Sequence, residues 1–237
     1  IAEVRGLHVS FPDGDGGIVE RVRGVDLHVA PGEVVGVVGE SGSGKSLTAM
    51  ALAGLLDKPA IIQTESRRFD DIDLDAPLTP AARKRLGVEL GVIFQDPLTS
   101  LNPALTIGRQ LTEVPRQHLG ATRAEARARA IDGLDAVGIP EPEARLGDYP
   151  HQFSGGMRQR AMIGIALTGR PRLIIADEPT TALDVTVQRQ VLRVLRRAQE
   201  ATGAGIVFIS HDIALVSSFC DRVVVMYLGR VVETASV

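Results

Sequence analysis

Short apolar runs alternate with longer helical patterns along most of this chain. The runs are rich in valine and isoleucine, and such runs predict buried strands. They cover residues 34–38, 91–94, 173–176, 206–209 and 223–227. Helical spacing follows some of these runs, at residues 47–56 and 185–201. Strands that alternate with helices predict an α/β protein with a parallel sheet.

The N-terminal region departs from this alternation. Residues 4–11 and 22–30 have the pattern of strands, and the turn-forming segment 12–17 separates them. We therefore expect an antiparallel β subdomain ahead of the first parallel strand. The acidic run at residues 70–75 indicates a solvated hairpin rather than a metal site.

Residues 98–169 interrupt the alternation a second time, with helices. One of these helices begins with a capping box, in which Thr122 and Glu125 stand three residues apart. This region predicts an inserted α-helical subdomain. The α/β core, including its antiparallel part, is then expected to consist of about residues 1–97 and 170–237, within a single domain.

Composition narrows the class of protein. The chain has 237 residues, of which 44% are hydrophobic and 23% charged, as in soluble globular proteins. A net charge of −3 gives no reason to expect a nucleic-acid partner. Cys220 is the single cysteine, and no apolar run approaches the roughly 18 residues of a membrane span. Because the sequence begins at Ile1 rather than Met, we expect a fragment of a longer protein.

The segment Gly39–Ser46 matches the phosphate-loop pattern G-x-x-x-x-G-K-[ST], between a predicted strand and a predicted helix. In such a loop the backbone N–H groups and the helix N-terminus bind phosphate. Lys45 is expected to contact the β- and γ-phosphates, and Ser46 to ligate Mg²⁺. The loop residues assigned to the nucleotide are Gly39, Ser41, Gly42, Ser43, Gly44, Lys45 and Ser46. The alternative is a glycine-rich turn that binds nothing.

Two carboxylates, Asp177 and Glu178, end the strand that starts at Leu173. Neighbouring side chains on a strand point to opposite faces, so we expect different roles for the two acids. One can hold Mg²⁺, and the other can face the γ-phosphate and orient or deprotonate water. Glu178 is the candidate for the second role.

Polar residues also follow two other apolar runs, Gln95 after residues 91–94 and His211 after residues 206–209. Ligands of open parallel sheets bind beyond the carboxyl ends of the strands, so these residues are expected to share one crevice with the phosphate loop. Gln95 could contact both Mg²⁺ and water, and His211 could donate to the γ-phosphate. Taken singly, each could also be an ordinary loop or structural residue.

Two further residues allow two interpretations each, and a pair of arginines indicates a ligand nearby. Phe11 could stack on a purine ring or be a core residue at a strand end. Ser154 could cap a helix or contact a ligand. Arg158 and Arg160 stand in the first turns of that helix, where the helix dipole disfavours cations, so a nearby anion is expected.

The order of these motifs resembles that of ATP-binding cassette (ABC) ATPases. It comprises the phosphate loop, Gln95, residues 153–157 (FSGGM), residues 173–180 (LIIADEPT), residues 182–184 (ALD) and His211. The resemblance implies a P-loop NTPase fold and the following roles. These are Asp177 as Walker B aspartate, Glu178 as catalytic base, Gln95 as Q-loop glutamine, Asp184 as D-loop aspartate, His211 as switch histidine and Phe11 as adenine-stacking aromatic. Phe153 and Met157 depart from the commonest signature, which has leucine and glutamine there.

The resemblance also implies how such a domain works. Two domains pair head to tail, and Ser154, Gly155 and Gly156 of one close over the ATP of the other. Residues 93–103 and 149–160 look like the dipeptide, oligopeptide and nickel importer branch. We therefore expect ATP and Mg²⁺ as cofactors. The expected partners are a second cassette, membrane permease subunits and an extracytoplasmic substrate-binding protein, with the chain on the cytoplasmic face of the membrane.

Other functions remain open at this point. The chain could serve an importer of nickel or another solute, or an exporter. It could also be a soluble ABC ATPase of DNA repair, chromosome maintenance or translation. Repair and chromosome members carry a long coiled coil between the phosphate loop and the signature, and no sustained heptads separate Lys45 from Ser154 here.

Overall fold

A computed structural model describes residues 1–14, 16–180 and 183–237. Asp15 of the predicted N-terminal turn lies outside the described residues, as do Thr181 and Ala182, the latter part of the motif before Asp184. The chain divides into two compact units. We refer to Ile1–Ala82 with Gly205–Val237 as the terminal unit, and to Arg83–Ala204 as the central unit.

The antiparallel sheet of the terminal unit is built around its first strand. The strands are β1 (Ala2–Pro12), β2 (Ile18–Val29), β4 (Ile61–Gln63), β5 (Ser66–Phe69) and β6 (Ile72–Asp73). β1 pairs antiparallel with β2, β4 and β5, and β5 pairs with β6. The predicted N-terminal antiparallel sheet is thereby confirmed. The acidic run belongs to the β5–β6 hairpin, as expected.

Parallel strands form the other sheet of the terminal unit. They are β3 (Val34–Gly39), β9 (Gly205–Ile209) and β10 (Arg222–Tyr227), with β11 (Arg230–Ser236) antiparallel to β10. β3 lies between β9 and β10. The helices of this unit include α1 (Lys45–Leu52) after β3 and α10 (Ile213–Phe219) after β9. Every residue of β9 is buried, and the rings of Phe208 and Phe219 lie 5.0 Å apart.

The central unit contains a parallel pair of strands, β7 (Leu90–Ile93) and β8 (Leu173–Asp177). The helices between residues 80 and 202 are α2 (Pro80–Glu89), α3 (Pro97–Ser100), α4 (Ile107–Leu111), α5 (Glu113–Gln117), α6 (Arg123–Ala136), α7 (Pro142–Arg145), α8 (Gly155–Leu167) and α9 (Val185–Thr202), with a 3₁₀ turn at Pro150–Gln152. The predicted capping box at Thr122 and Glu125 is confirmed. Helices α6 and α8 cross closely, since a Cβ on Gly164 would lie 3.3 Å from the Gly133 oxygen.

These elements confirm the expected fold class, an α/β protein with parallel strands and a separate antiparallel sheet. Buried strand residues and the apolar faces of α6 and α8 supply the cores of the two units. The proposed division at residues 98–169 stays a prediction. Within residues 1–14, 16–180 and 183–237, no helix has the length and apolar character that a membrane crossing requires.

Candidate functional site

The loop between β3 and α1 has the backbone form of an anion site. Gly44, the residue before α1, has a φ of 98°, and no side chain caps the helix there. The first turn of α1 carries no acidic residue. N–H groups at a helix N-terminus need acceptors and carry positive partial charge, so a phosphate group fits this position.

Glycine is required at two positions of this loop for different reasons. Gly39 has a φ of 149°, and a Cβ there would lie 2.1 Å from the backbone oxygen of Met226. Gly42 has a φ of 78° in open space, so its left-handed conformation, rather than crowding, favours glycine. Gly42 and its neighbour Ser41 are exposed to solvent. The two glycines thus allow the backbone conformation of the loop, and its residues 41 and 42 are accessible from solvent.

Lys45 is held across this loop. Its side-chain Nζ donates to the backbone oxygens of Gly39 and Glu40, at 2.9 and 2.8 Å, and the residue is 7% exposed. An ammonium group has three N–H donors. Within the described residues these two bonds use two of the donors, and the third can donate to an anion bound in the loop.

Two hydroxyl groups near the start of α1 are buried. Ser43 and Thr48 are 3% and 1% exposed, and within the described part of the chain their hydroxyl oxygens have no hydrogen-bond partner. A buried hydroxyl left unpaired costs about 1–3 kcal/mol. A phosphate oxygen bound beside Ser43 would remove its share of that cost, so the loop residues fit a phosphate group.

His211 follows the strand next to the phosphate loop. β9 runs parallel to β3, with Ile209 opposite Val37, so His211 and the loop lie at the carboxyl ends of adjacent strands. The His211 side chain is exposed, while Ser210 before it is buried and accepts from the backbone N–H of Asp212 at 3.0 Å. The role of His211 at a γ-phosphate stays a prediction.

Phe11 lies near the end of β1, where it pairs with Val19 of β2. The residue is half-buried, so it is neither a full core residue nor a free surface ring. Its predicted contact with adenine stays a prediction.

Asp177 and Glu178 differ in backbone as well as in burial. Asp177 is the last residue of β8 and is 6% exposed, whereas Glu178 is half-buried and has a φ of 46°. This left-handed conformation is unusual for a residue with a side chain and costs about 1–3 kcal/mol. The reasoning from strand alternation was therefore wrong, because Glu178 lies outside the strand. The two acids are separated by this change of backbone direction.

The structure brings Gln95 and Glu178 together. β7 and β8 are parallel, with Ile93 opposite Ala176, and the two residues follow these strands. The Gln95 Nε2 donates to Glu178 Oε2 at 3.0 Å. For this pair, the expectation that strand ends meet at one edge is confirmed. The bond occupies one carboxylate oxygen of the candidate base.

The segment 154–156 begins helix α8 and faces solvent at its start. The Ser154 hydroxyl accepts from the backbone N–H of Met157 at 3.4 Å, so the predicted N-cap is confirmed. Ser154 and Gly155 are exposed, and a Cβ on Gly155 would meet nothing within 4 Å. A Cβ on Gly156 would lie 3.6 Å from Leu183 Cδ2. The backbone of this segment is therefore accessible to a ligand.

Arg158 and Arg160 have partners that the dipole argument did not foresee. Arg158 Nε donates to the Pro150 oxygen at 2.7 Å, and Arg160 Nη1 to the Gly138 oxygen at 2.6 Å. Burial lowers the pKa of the Arg160 guanidinium, and the charge of Asp184 opposes this shift. Backbone carbonyls therefore account for both arginines without a bound anion.

Asp184 caps helix α9. Its Oδ1 accepts from the backbone N–H groups of Thr186 and Val187, at 2.9 and 3.0 Å. Asp184 is exposed to solvent, and the residue before it, Leu183, packs on α8. The cap gives Asp184 a structural role, and its D-loop role stays a prediction.

Comparison with known proteins identifies the family. Residues 22–181 match the family model described as ABC transporter. The chain belongs to the ABC transporter family. The expected resemblance to ABC ATPases and the expected ATPase class are confirmed, and the phosphate loop is that of a nucleotide-binding protein.

Two curated relatives extend over nearly the whole chain. One is the dipeptide transport ATP-binding protein of Haemophilus influenzae, 46% identical over 233 residues, which are 98% of this chain and 70% of that protein. Another is the oligopeptide transport ATP-binding protein of Bacillus subtilis, 46% identical over 239 residues, which cover 100% of this chain and 66% of that protein. This ABC ATPase thus spans about two thirds of the length of each relative.

Solved structures agree with the fold. A dimeric ATP-binding cassette in a post-hydrolysis state, bound to ADP and Pi, has a TM-score of 0.88 and 26% identity. The match covers 100% of this chain and 98% of that one. A dimeric bacterial ABC transporter cassette also gives a TM-score of 0.88, at 27% identity.

Proposed function

We propose that this chain is the ATP-hydrolysing subunit of an ABC importer of dipeptides or oligopeptides. The observation that carries the proposal is its 46% identity, over 98% and 100% of its length, to relatives named as dipeptide and oligopeptide transport ATP-binding proteins. The intact phosphate loop and the contact between Gln95 and Glu178 support ATP hydrolysis as its activity.

In this proposal the phosphate loop binds the triphosphate of ATP. Lys45 turns one N–H donor toward the phosphates, and the Ser43 hydroxyl gains an acceptor. Mg²⁺ would be held by oxygen atoms, which it prefers, from Ser46, Asp177 and Gln95. Because Gln95 Nε2 donates to Glu178, its amide oxygen is the atom suited to the metal. When bound, Mg²⁺ neutralises charge on the phosphates.

Glu178 acts as the base that orients and deprotonates the attacking water. The hydrogen bond from Gln95 fixes one oxygen of the carboxylate, and the Glu178 carboxylate accepts the proton from water. His211 donates a hydrogen bond to the γ-phosphate, and Phe11 stacks on the adenine. These roles follow the family pattern and are proposals for this chain.

Hydrolysis is proposed to require a pair of cassettes. Ser154, Gly155 and Gly156 of one chain close over the ATP of the other, and Asp184 lies in the loop that faces the partner. The exposure of Ser154 and Gly155 supports this role, because a backbone contact needs an open surface. The similar solved cassettes are themselves described as dimeric.

Transport is proposed to involve three further kinds of protein. These are a second cassette, identical or paralogous, membrane permease subunits and an extracytoplasmic substrate-binding protein. The chain would then lie at the cytoplasmic face of the membrane, bound to the permease.

Purification through a tag on this chain, followed by mass spectrometry, tests the importer directly. We expect permease subunits and a second cassette to copurify. Uptake of labelled dipeptides, labelled oligopeptides and nickel ions by the same cells then identifies the cargo. Recovery with ribosomes or DNA, and without permease subunits, would contradict the importer but not the ATPase activity.

A further inference from the structure

Gln159 of helix α8 is a buried polar residue for which the site predictions gave no role. It is 2% exposed, and its Nε2 donates to the backbone oxygen of Pro179 at 2.9 Å. A buried amide is unfavourable unless it is hydrogen-bonded. This bond joins α8, which begins with the Ser154 cap, to the residue that directly follows Glu178.

Among the described residues, Glu178, Pro179 and Thr180 follow β8 without continuing its strand pairing. Glu178 has a φ of 46°, which ends the strand, and Pro179 lacks the N–H group that could continue a ladder. The next carbonyl, of Thr180, accepts from Gln188 Nε2 at 3.3 Å. The side chain of Gln159 therefore anchors the first carbonyl after Glu178, and in the described part of the chain no strand pairing includes this carbonyl.

Helix α8 also contacts the described residues at the other end of this segment. A Cβ on Gly156 would lie 3.6 Å from Leu183 Cδ2, immediately before Asp184. The helix thus contacts Pro179, next to Glu178, and Leu183, next to Asp184. Of these two contacts, only the Gln159 bond is directional.

We propose that Gln159 is a positioning residue for Glu178. Gln95 holds the carboxylate of Glu178 at 3.0 Å, and Gln159 fixes the backbone from which that carboxylate extends. Backbone freedom at Pro179 would let the carboxylate move away from the water that it activates. A displacement of about 1 Å at a reacting group lowers the rate by about 100-fold. The inference rests on the proposed role of Glu178 as the base.

The variant Gln159→Met removes the donor while keeping the length and apolar volume of the side chain. In the full chain with its cassette partner, we expect kcat to fall about 10- to 100-fold. The KM for ATP should change by less than about 3-fold, because removing an interaction made only in the transition state lowers kcat rather than binding.

Gln110→Met is the matched control. Gln110 is also buried, at 9% exposure, and its Nε2 donates to the backbone oxygens of Asn102 and Leu105, both at 3.1 Å. The substitution Gln110→Met therefore removes buried hydrogen bonds from a side-chain amide to backbone oxygens, as Gln159→Met does, but at a position distant in sequence from Glu178. We expect a lower melting temperature in both variants but a loss of kcat only for Gln159→Met. Should Gln159→Met fail to fold, Gln159→Asn replaces it. This variant keeps the amide on a side chain that is one CH₂ group shorter, and its kcat and melting temperature are compared with those of Gln110→Met.

A double-mutant cycle with Glu178→Gln separates positioning from general destabilisation. If Gln159 acts through Glu178, Gln159→Met causes no further loss of turnover once the base is gone. The positioning role of Gln159 would be overturned if the two losses of turnover multiply in the double variant, or if Gln159→Met has the same kcat as the Gln110→Met control. Either result would leave the role of Glu178 as the base intact. Wild-type turnover of Glu178→Gln would overturn the role of the base and the inference together.

Discussion

At the scale of single residues, Glu178 combines three features that suit a catalytic base. Its left-handed backbone turns it out of β8, its half-buried side chain can reach solvent, and Gln95 donates to one of its oxygens. Asp177, one residue earlier, is buried at the strand end. The change of backbone direction between them gives the two acids the different environments that their proposed roles require.

Replacing Glu178 by Gln tests this role. We expect ATP turnover to fall by about 10²–10⁴, as for the loss of a general base, while ATP binding is retained. Steady-state hydrolysis and an ATP titration measure the two effects. Glu200→Gln, at an exposed glutamate of α9, is the control. Turnover of Glu178→Gln within a few-fold of wild type would rule out the assignment.

Lys45 is expected to contribute to nucleotide affinity itself. Lys45→Ala removes a charged hydrogen bond worth about 1.5–3 kcal/mol, so ATP binding should weaken by roughly 10- to 100-fold. Calorimetric titration measures the change, and Lys84→Ala, at an exposed lysine, is the control. Unchanged affinity in Lys45→Ala would count against the phosphate loop as the nucleotide site.

At the scale of elements, an ion pair ties the start of β3 to the start of β10. Glu33 Oε1 lies 2.7 Å from Arg222 Nε, and the two side chains are 19% and 18% exposed. Glu33 Oε2 also accepts from the backbone N–H of Ala30 at 2.7 Å. Burial raises the pKa of Glu33, but the hydrogen bonds from Arg222 and Ala30 outweigh it, so the pKa lies below its ordinary value.

A lowered pKa in the folded state means that Glu33 stabilises the fold above its unfolded pKa, which is about 4.3. This stabilisation disappears as the pH falls through the lower folded value. Glu33→Gln should therefore lower the unfolding free energy by about 1–3 kcal/mol at pH 7, with a smaller difference below pH about 4. Denaturant unfolding at both pH values measures this. An equal difference at both would contradict the assigned ion pair.

Local sequence patterns were sufficient to predict most of the strands and helices named here. The valine and isoleucine runs predicted β3, β9 and β10, and the Thr122–Glu125 spacing predicted the start of α6, because these signals depend on neighbours in sequence. The φ of Glu178 and the partners of Arg158 and Arg160 depend on contacts with distant residues. A dipole argument for a helix end cannot show that a long arginine side chain reaches a carbonyl in another segment.

At the scale of the whole molecule, each of the two units carries candidate site residues of its own. The terminal unit supplies the phosphate loop and His211, and the central unit supplies Gln95, Glu178 and residues 154–156. The motif order predicted this set, whereas the bond from Gln159 to Pro179 had no sequence signal, since a glutamine in a helix is commonly exposed.

The proposed head-to-tail pair predicts an oligomer that depends on nucleotide. With ATP and Mg²⁺, Glu178→Gln should accumulate as a dimer of cassettes, because ATP binds but is hydrolysed slowly. Light scattering after size-exclusion chromatography measures the mass with and without ATP. Adding Lys45→Ala to this variant should abolish the dimer. A monomer under all conditions would contradict pairing of identical chains.

ATP-dependent peptide uptake tests the central claim most directly. The copurified complex would be reconstituted in liposomes together with its substrate-binding protein, and labelled di- and oligopeptide uptake measured with wild-type chain and with Glu178→Gln. The account predicts uptake that requires ATP and falls about 10²–10⁴-fold with the variant. Active ATP hydrolysis without peptide uptake, or uptake that Glu178→Gln leaves unchanged, would contradict it.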